Sequence, residues 1–189
     1  MLFVCTGNIC RSPIAERLFR ARIDATAPVV VASAGTAGLD GYPMDAPSAL
    51  ALRELGGNPD GHVARRLTPA MVARADLILA ATTQHRSVIV QSDPPAFRRT
   101  FTLREFARLS ATLGLGARPV ATDALVMRVE EVAHRRGLAD PAAPGADDIA
   151  DPFGAPLKAA RQCAEQISSA LDAVIGSLGL RWAAAPSVR

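Results

Sequence analysis

Residues 1–13 read MLFVCTGNICRSP, a short apolar run followed by a polar loop and the start of a helix. Met1 to Val4 predict a buried strand, and Ser12-Pro13 predict a helix start because serine caps helices and proline suits the first helical position. A loop between a strand end and a helix N-terminus binds anions, since free backbone N–H groups and the helix dipole point into it. Cys5 opens this loop and Arg11 closes it. The segment therefore predicts an anion site that holds a nucleophile and a phosphate clamp.

Apolar runs and helical patterns alternate along the rest of the chain. Three further strands are predicted, at Val29–Ala32, Asp76–Ala81 and Arg98–Leu103. Short continuous apolar runs separated by helices indicate a parallel sheet that is covered on both faces. We therefore expect an α/β fold with a single three-layer domain, in which helices cover both faces of a four-stranded parallel sheet. Ligands on such sheets bind beyond the carboxyl ends of the strands, where Cys5 is expected to lie.

The helices are predicted from apolar residues that recur every three or four positions and from Pro and Gly at the helix ends. They cover about residues 12–23, 46–55 and 122–136, a short turn from Thr68-Pro69, and a last helix from Leu157 to Leu178. The length of 189 residues suits one domain. We expect that domain to span residues 1–181, with a helical insertion at about 111–147 that is too short to build its own core. Residues 182–189 are expected to form a frayed tail.

The composition argues against several classes of protein. Hydrophobic residues make up 49% and charged residues 21%, which suits a folded chain with a core. A net charge of +3 with only 4% aromatic residues favours anionic ligands but gives no platform for nucleic-acid binding. Neither a secretory signal nor an apolar run of roughly 20 residues is present, so no membrane partner is expected. Three cysteines suit a reducing compartment, which predicts a cytoplasmic protein.

The string VCTGNICRSP, Val4 to Pro13, resembles the phosphate-binding loop of the low-molecular-weight protein tyrosine phosphatase family. Two further segments, Ala32–Thr36 and Asp151–Phe153, resemble other elements of that family. The resemblance covers about residues 1–109 and 147–180, and the stretch between them is longer than the family pattern implies. It implies a flavodoxin-like architecture and a phosphatase that forms a phosphocysteine.

The resemblance also implies roles for three residues. Cys5 is expected to be the nucleophile, because a helix N-terminus and a nearby cation can bring a thiol pKa from about 8.5 to about 3.5–7.5. Arg11 is expected to grip two phosphoryl oxygens with its planar guanidinium. Asp151 is expected to protonate the leaving oxygen and then to activate the water that hydrolyses the phosphocysteine. The neighbouring Asp147 and Asp148 are expected to cap a turn.

The predicted phosphate-binding residues are those of the loop itself: Thr6, Gly7, Asn8, Ile9, Cys10, Arg11 and Ser12. Gly7 lets the backbone approach the anion, and Asn8 tolerates unusual backbone dihedrals. Ser12 is expected to be the N-cap of the first helix and, by resemblance, to donate to the Cys5 sulfur when it leaves. Cys10 is either a small buried residue or, as the resemblance favours, the redox partner of Cys5 in a reversible disulfide.

Other residues are expected around the loop. Leu39, Tyr42 and Phe153 are candidates for a rim that receives a flat substrate ring, with ordinary loop packing as the alternative for the first two. By resemblance, Ser33 is expected to brace Asn8.

The three histidines are expected to be structural. His62 resembles a family position that bonds a carboxylate behind the site, for which Glu16 is the candidate. His85 and His134 are expected on helix surfaces. No cluster of His, Cys and Asp has the spacing of metal ligands, so the sequence predicts neither a metal nor a cofactor.

The predicted substrate is a phosphorylated protein, and inorganic phosphate or similar oxyanions are expected to bind the same loop. Phosphotyrosine is favoured because Ile9 places an apolar branched group against the substrate. Phe153-Gly154 resembles instead the bacterial protein-arginine phosphatases of the family, which carry Thr at the position of Ile9. A thiol-coupled arsenate reductase is a further alternative, although only Cys163 is available outside the loop. A phosphate- or phosphopeptide-binding module without turnover would lack a nucleophile or an acid, whereas Cys5 and Asp151 are both present.

Overall fold

The computed structural model describes residues 1–113 and 122–183. In this part of the chain, four strands and seven α-helices follow one another as β1 (Leu2–Cys5), α1 (Arg11–Arg22), β2 (Ala32–Gly35), α2 (Ala46–Glu54), α3 (Pro69–Ala73), β3 (Ile78–Ala80), α4 (Thr83–Ser92), β4 (Thr100–Thr102), α5 (Leu103–Ala111), α6 (Thr122–Arg135) and α7 (Leu157–Leu178). A short 3₁₀ helix, Pro94–Arg99, precedes β4. None of the described helices is long and apolar enough to cross a membrane.

The four strands form one parallel sheet in the order β2-β1-β3-β4. The central position of β1 is set by its pairing on both sides, where Leu2 lies opposite Ala32 and opposite Ile78. The carboxyl ends of all four strands therefore lie at one edge of the sheet, where the loop after Cys5 begins. The predicted four-stranded parallel sheet is confirmed.

Side chains of successive strand residues point to opposite faces of the sheet, and each face is covered by helices. On one face, Phe3, Leu79 and Phe101 pack against α1, α2, α5, α6 and α7 in the larger core. On the other face, smaller side chains pack against Val72 of α3 and Ile89 of α4. This arrangement confirms the predicted three-layer α/β fold.

The position of β2 differs from the prediction, which placed the strand at Val29–Ala32. Val30 is 86% exposed, and the strand begins only at Ala32. Pairing with β1 decides where β2 lies. The small residues of β2 also leave room for the loop after Cys5 to cross the end of β2. A Cβ atom on Gly35 would overlap the carbonyl oxygen of Thr6, so a bulkier residue there would displace the loop.

The predicted insertion contains one described helix, α6, which agrees with the helix expected at 122–136. Its C-terminal end is attached to the main core by Arg136, whose Nε donates to Glu105 Oε1 at 2.7 Å and whose guanidinium lies 4.2 Å from the centre of the Phe101 ring. Two side chains of the helix, Val129 and Val132, are buried in the larger core. We therefore propose that residues 1–181 belong to one domain and that 111–147 is an insertion within it. Residues 114–121 lie outside the described residues.

The start of the predicted tail is part of the fold. Trp182 forms an antiparallel bridge with Ile23, and the Ala183 N–H donates to the carbonyl of Arg22 at 2.7 Å. The prediction of fraying is therefore wrong for these two residues. The rest of the predicted tail, residues 184–189, lies outside the described residues.

Candidate active site

The loop between β1 and α1 is held in shape by the side chain of Asn8. This residue has a φ of 58°, a left-handed conformation that Asn tolerates better than most residues. Its Nδ2 donates to Ser12 Oγ at 2.9 Å and to Ser33 Oγ at 2.8 Å, while its Oδ1 accepts from the Arg65 N–H at 2.9 Å. Both polar ends of a fully buried amide are thus satisfied within the protein, which fixes the loop. The predicted contact between Ser33 and Asn8 is confirmed.

Cys5 ends β1, and its buried sulfur lies next to the first turn of α1. The distance between Cys5 Sγ and Ser12 Oγ is 3.0 Å. The Ser12 oxygen accepts from Asn8, and its own proton has two acceptors within reach, the Cys5 sulfur and the Ala34 carbonyl at 3.4 Å. Ser12 is not the N-cap that the sequence predicted: α1 begins at Arg11, and Cys10 occupies the N-cap position without a side-chain hydrogen bond.

Arg11 is 5% exposed, and its guanidinium reaches the segment that carries Asp151. Arg11 Nη2 donates to Asp151 Oδ2 at 2.5 Å, and Arg11 Nη1 donates to the carbonyl of Ile149 at 3.2 Å. Its Nε is buried and has no hydrogen-bond partner among the described residues. Since an unpaired buried donor is costly, this guanidinium suits a ligand that supplies another acceptor.

Asp151 lies in the segment between α6 and α7, and the residues before it are attached to two helices. Asp148 Oδ1 accepts from the Thr83 N–H at 2.7 Å, so it satisfies the first amide of α4. Asp147 receives two hydrogen bonds from Arg108 of α5, at 3.2 and 2.8 Å. Asp148 therefore caps a helix rather than a turn. These contacts hold Asp151 beside Arg11, although its side chain remains 48% exposed.

One cavity of about 170 Å³ brings together the three residues for which the sequence predicts chemistry. It is lined by Cys5, Thr6, Gly7, Ile9, Cys10, Arg11, Ala37, Leu39, Asp151 and Phe153. Asn8 and Ser12 lie behind this lining, where they support the loop and the sulfur. Tyr42 is 61% exposed and is not part of the lining, so the structure does not place it at the predicted rim.

Two histidines contact the loop, and the structure corrects the predicted partner of His62 and the predicted exposure of His85. His62 Nε2 donates to the Asn8 carbonyl at 2.7 Å rather than to the carboxylate of Glu16. His85 is 8% exposed instead of lying on a helix surface, and its Nε2 is 2.8 Å from Thr6 Oγ1. His85 lies four residues before the buried Ile89, on the same face of α4, so helical spacing was a signal for its burial. Its contact with Thr6 follows only from the packing of α4 against the loop.

The N-terminal part of the chain matches a known protein family. Residues 1–117 match the family described as "Low molecular weight phosphotyrosine protein phosphatase". This chain belongs to that family. The matched region contains the sheet and the whole loop between β1 and α1, from Cys5 to Ser12. It ends before Asp151.

Several relatives within the low-molecular-weight phosphatase family are similar to this chain. Etp of Escherichia coli K12, a low molecular weight protein-tyrosine-phosphatase, is 43% identical over 100 residues, which are 53% of this chain and 66% of that protein, just under two thirds of its length. A protein-arginine-phosphatase of Geobacillus stearothermophilus is 30% identical over 91% of this chain and 90% of its own. The solved structure of a low molecular weight protein tyrosine phosphatase from T. tengcongensis has a TM-score of 0.65 and 28% identity, covering 92% of this chain and 95% of that one.

The second cysteine of the loop between β1 and α1, Cys10, is buried among apolar side chains. Cys10 packs with Ile9 and Ala64, and burial raises the pKa of its thiol to about 12. A thiol with that pKa stays protonated near neutral pH, so it does not compete with Cys5 as a nucleophile. Both sulfurs are free thiols in the structure, and the reversible disulfide between them stays a prediction.

Proposed function

We propose that this protein is a phosphatase that hydrolyses phosphotyrosine on proteins through a phosphocysteine intermediate. The observation that carries the proposal is the convergence of Cys5, Arg11 and Asp151 on one cavity at the carboxyl edge of the sheet. These three side chains supply a nucleophile, a clamp for oxyanions and a proton donor. Membership of the low-molecular-weight phosphatase family supports the same reaction.

In the first step, the sulfur of Cys5 attacks phosphorus as the bond between phosphorus and the tyrosyl oxygen breaks. Asp151 transfers its carboxyl proton to that oxygen, so the phenol leaves as a neutral group. The guanidinium of Arg11 and the N–H groups of the loop hold the equatorial oxygens, where negative charge is concentrated in the transition state.

In the second step, Asp151 accepts a proton from a water molecule whose oxygen attacks the phosphocysteine. The bond between sulfur and phosphorus breaks, and inorganic phosphate leaves. The Ser12 hydroxyl, 3.0 Å from the sulfur, donates to Cys5 as negative charge returns to it. This contact stabilises the sulfur as a leaving group, in the way that a hydrogen bond favours the charged form of its acceptor.

Replacing Asp151 by asparagine is expected to separate catalysis from oxyanion binding. The kcat for a phosphotyrosyl peptide should fall by about 10²–10³-fold, since the amide cannot protonate the leaving oxygen. Inorganic phosphate should inhibit the variant more strongly than the parent, because the carboxylate that pairs with Arg11 at 2.5 Å no longer competes with the ligand. Steady-state kinetics with phosphate as a competitive inhibitor measures both effects.

Two controls make the Asp151 test specific. Aryl phosphates whose phenols are strongly acidic need little protonation, so Asp151→Asn should lose much less activity with them. Asp172→Asn, which alters an exposed carboxylate of α7 that pairs with Arg22 of α1, should leave all these constants unchanged. A loss that is the same for acidic and ordinary phenols would contradict the role of Asp151 as the general acid.

The lining of the cavity favours an aromatic substrate. Ile9 and Leu39 present apolar groups to its interior, and Phe153 stands beside Asp151, to whose Oδ1 its N–H donates at 3.3 Å. An apolar wall stabilises a tyrosyl ring more than a charged guanidinium, which favours phosphotyrosine over phosphoarginine. Phosphoarginine is the second candidate, because the protein-arginine-phosphatase of G. stearothermophilus aligns with nine tenths of this chain.

Substrate choice is tested by replacing Ile9 with threonine. The parent should hydrolyse a phosphotyrosyl peptide with a higher kcat/KM than the matching phosphoarginyl peptide. Ile9→Thr should lower the phosphotyrosine value by about fivefold to tenfold, as expected for losing an apolar contact, and narrow the difference between the substrates. Val63→Thr, an equivalent change at an exposed position, should have no effect. If the parent protein prefers the phosphoarginyl peptide, the substrate is phosphoarginine and not phosphotyrosine.

The remaining features of the proposal concern partners and location. We propose a phosphorylated protein as the partner and the cytoplasm as the location, with no nucleic-acid or membrane partner. The three cysteines are free thiols, as a reducing compartment would keep them. Burial in α7 raises the pKa of Cys163 to about 12, which makes it a poor member of the thiol relay that some arsenate reductases need.

A further inference from the structure

The side chain of Thr6 links the phosphate clamp to a buried histidine. Thr6 Oγ1 lies 3.4 Å from Arg11 Nη2 and 2.8 Å from His85 Nε2. On the other side of the imidazole ring, His85 Nδ1 lies 2.7 Å from Thr82 Oγ1. Thr6 lines the cavity of the active site, whereas His85 lies behind it. A continuous row of polar groups therefore runs from the start of α4 to the oxyanion site.

The positions of the protons in this row follow from counting donors and acceptors. The backbone N–H of His85 donates to Thr82 Oγ1 at 3.3 Å, so the Thr82 hydroxyl proton needs an acceptor of its own. His85 Nδ1 is that acceptor, and in the opposite tautomer the Thr82 proton would have none among the described residues. We therefore assign the histidine proton to Nε2, from which it is donated to Thr6 Oγ1.

In this tautomer, the proton of the Thr6 hydroxyl is still available for donation. Its oxygen accepts from both Arg11 Nη2 and His85 Nε2, which occupies both lone pairs. The Thr6 proton must then be donated to a third group, and the residue lines the cavity in which an oxyanion is expected. A hydroxyl that is turned in this way is prepared to donate before the ligand arrives.

His85 is neutral under ordinary conditions, as the argument requires. Burial, followed by the positive charge of Arg11, lowers the pKa of the ring to about 4, against the opposing effect of the carboxylates of Asp151 and Asp148. A neutral ring carries a single proton and keeps one donor and one acceptor. A charged ring would present a second N–H to Thr82 and break the pattern.

We propose that the Thr6 hydroxyl is an additional hydrogen-bond donor to the bound phosphoryl group and that His85 is the positioning residue that directs it there. The inference rests on the proposed function, because it requires an oxyanion in the cavity. A fixed hydroxyl adds a donor that needs no reorganisation when negative charge develops on the phosphoryl oxygens. His85 acts only through Thr6 and does not touch the substrate.

The test uses inorganic phosphate as the ligand and compares four variants of the full chain. Thr6→Val removes the hydroxyl but keeps the backbone N–H, and it should weaken phosphate binding and lower kcat/KM by roughly tenfold, the effect of losing a hydrogen bond to a charged group. Thr6→Ser should stay close to the parent. His85→Leu should reproduce the loss of Thr6→Val, whereas His85→Gln, which keeps an N–H donor, should recover most of it.

The decisive measurement is the double variant Thr6→Val with His85→Leu. If His85 acts through Thr6, the double variant should lose no more than Thr6→Val alone. The ratio of the His85→Leu value to the parent value should be the same at about pH 5.5 and about pH 7.5, because both lie above the pKa of about 4. His134→Leu, at an exposed position on α6, should leave phosphate binding unchanged.

Several results would contradict the proposed roles of Thr6 and His85. Phosphate binding that is unchanged in Thr6→Val would overturn the inference, and additive losses in the double variant would remove the link between His85 and Thr6. A lowered melting temperature with unchanged phosphate binding in His85→Leu would show a purely structural role and also overturn it. Calorimetric binding of phosphate does not depend on turnover, so a parent that binds phosphate but hydrolyses no phosphoester would contradict the proposed function and not this inference.

Discussion

Replacement of Cys5 by serine is expected to reduce the hydrolysis of a phosphotyrosyl peptide by about 10⁴-fold or more, the scale of losing the nucleophile in an enzyme with covalent catalysis. Serine replaces the thiol by a hydroxyl, which is a much weaker nucleophile than a cysteine sulfur near neutral pH. Serine is close to cysteine in size and keeps the contact with Ser12, so the fold should be retained. Release of inorganic phosphate at saturating substrate measures the loss.

The phosphocysteine intermediate on Cys5 can also be detected directly. Acid quenching of the parent during turnover should trap one phosphoryl group on the peptide that contains Cys5, and Cys5→Ser should show no phosphocysteine. Cys163→Ala, which removes a buried thiol in α7, should retain the activity of the parent. Turnover by Cys5→Ser at the parental rate would contradict the covalent mechanism and with it the proposed function.

Replacement of Arg11 by lysine is expected to lower kcat/KM by about 10³-fold, the effect of removing a preorganised donor from an oxyanion site. Lysine keeps the positive charge, but its ammonium cannot present two parallel N–H groups to two oxygens. Arg11 also donates to the Ile149 carbonyl and to Asp151 through two separate nitrogens, a spacing that one ammonium nitrogen does not reproduce. Both a lower kcat and weaker inhibition by phosphate should follow.

A control variant separates the loss of the Arg11 guanidinium from the effect of any arginine-to-lysine change elsewhere in the protein. Arg161→Lys conserves charge at an exposed ion pair with Glu54 and should leave kinetics unchanged. Arg161→Lys should keep the parental melting temperature, and Arg11→Lys should remain folded at the assay temperature, which shows that the loss lies in the site. If phosphate inhibits Arg11→Lys as strongly as it inhibits the parent, Arg11 is not the clamp.

Part of the candidate site was predictable because its residues lie close together in the chain. Cys5 and Arg11 are separated by one short loop between a buried strand and a helix, so the strand end and the helix start place both side chains at the same edge of the sheet. Asp151 is 140 positions from Arg11, and the sequence indicated it only through the resemblance of a short Asp-Pro segment to the family. The attachment of that segment to α4 and α5 required the structure, since each contact joins distant residues.

The errors share a physical origin in competition between local preference and tertiary contacts. The valines before Ala32 favour a strand, yet pairing with β1 and the need for a small residue beneath the loop place β2 after them. Ser12 would be a good N-cap, but its hydroxyl is engaged by Asn8 and the sulfur of Cys5. His85 lies on α4, and only the docking of that helix brings its ring against Thr6.

The amino-acid sequence by itself determined the alternation of strands and helices and the oxyanion loop, because apolar periodicity and the backbone preferences of Gly, Asn and Pro act over a few neighbouring residues. Tertiary structure alone decided the register of β2, the meeting of Asp151 with Arg11 and the contact of His85 with Thr6. Those features depend on contacts between segments far apart in the chain, whose energies appear only when the sheet and its two helical layers are packed together.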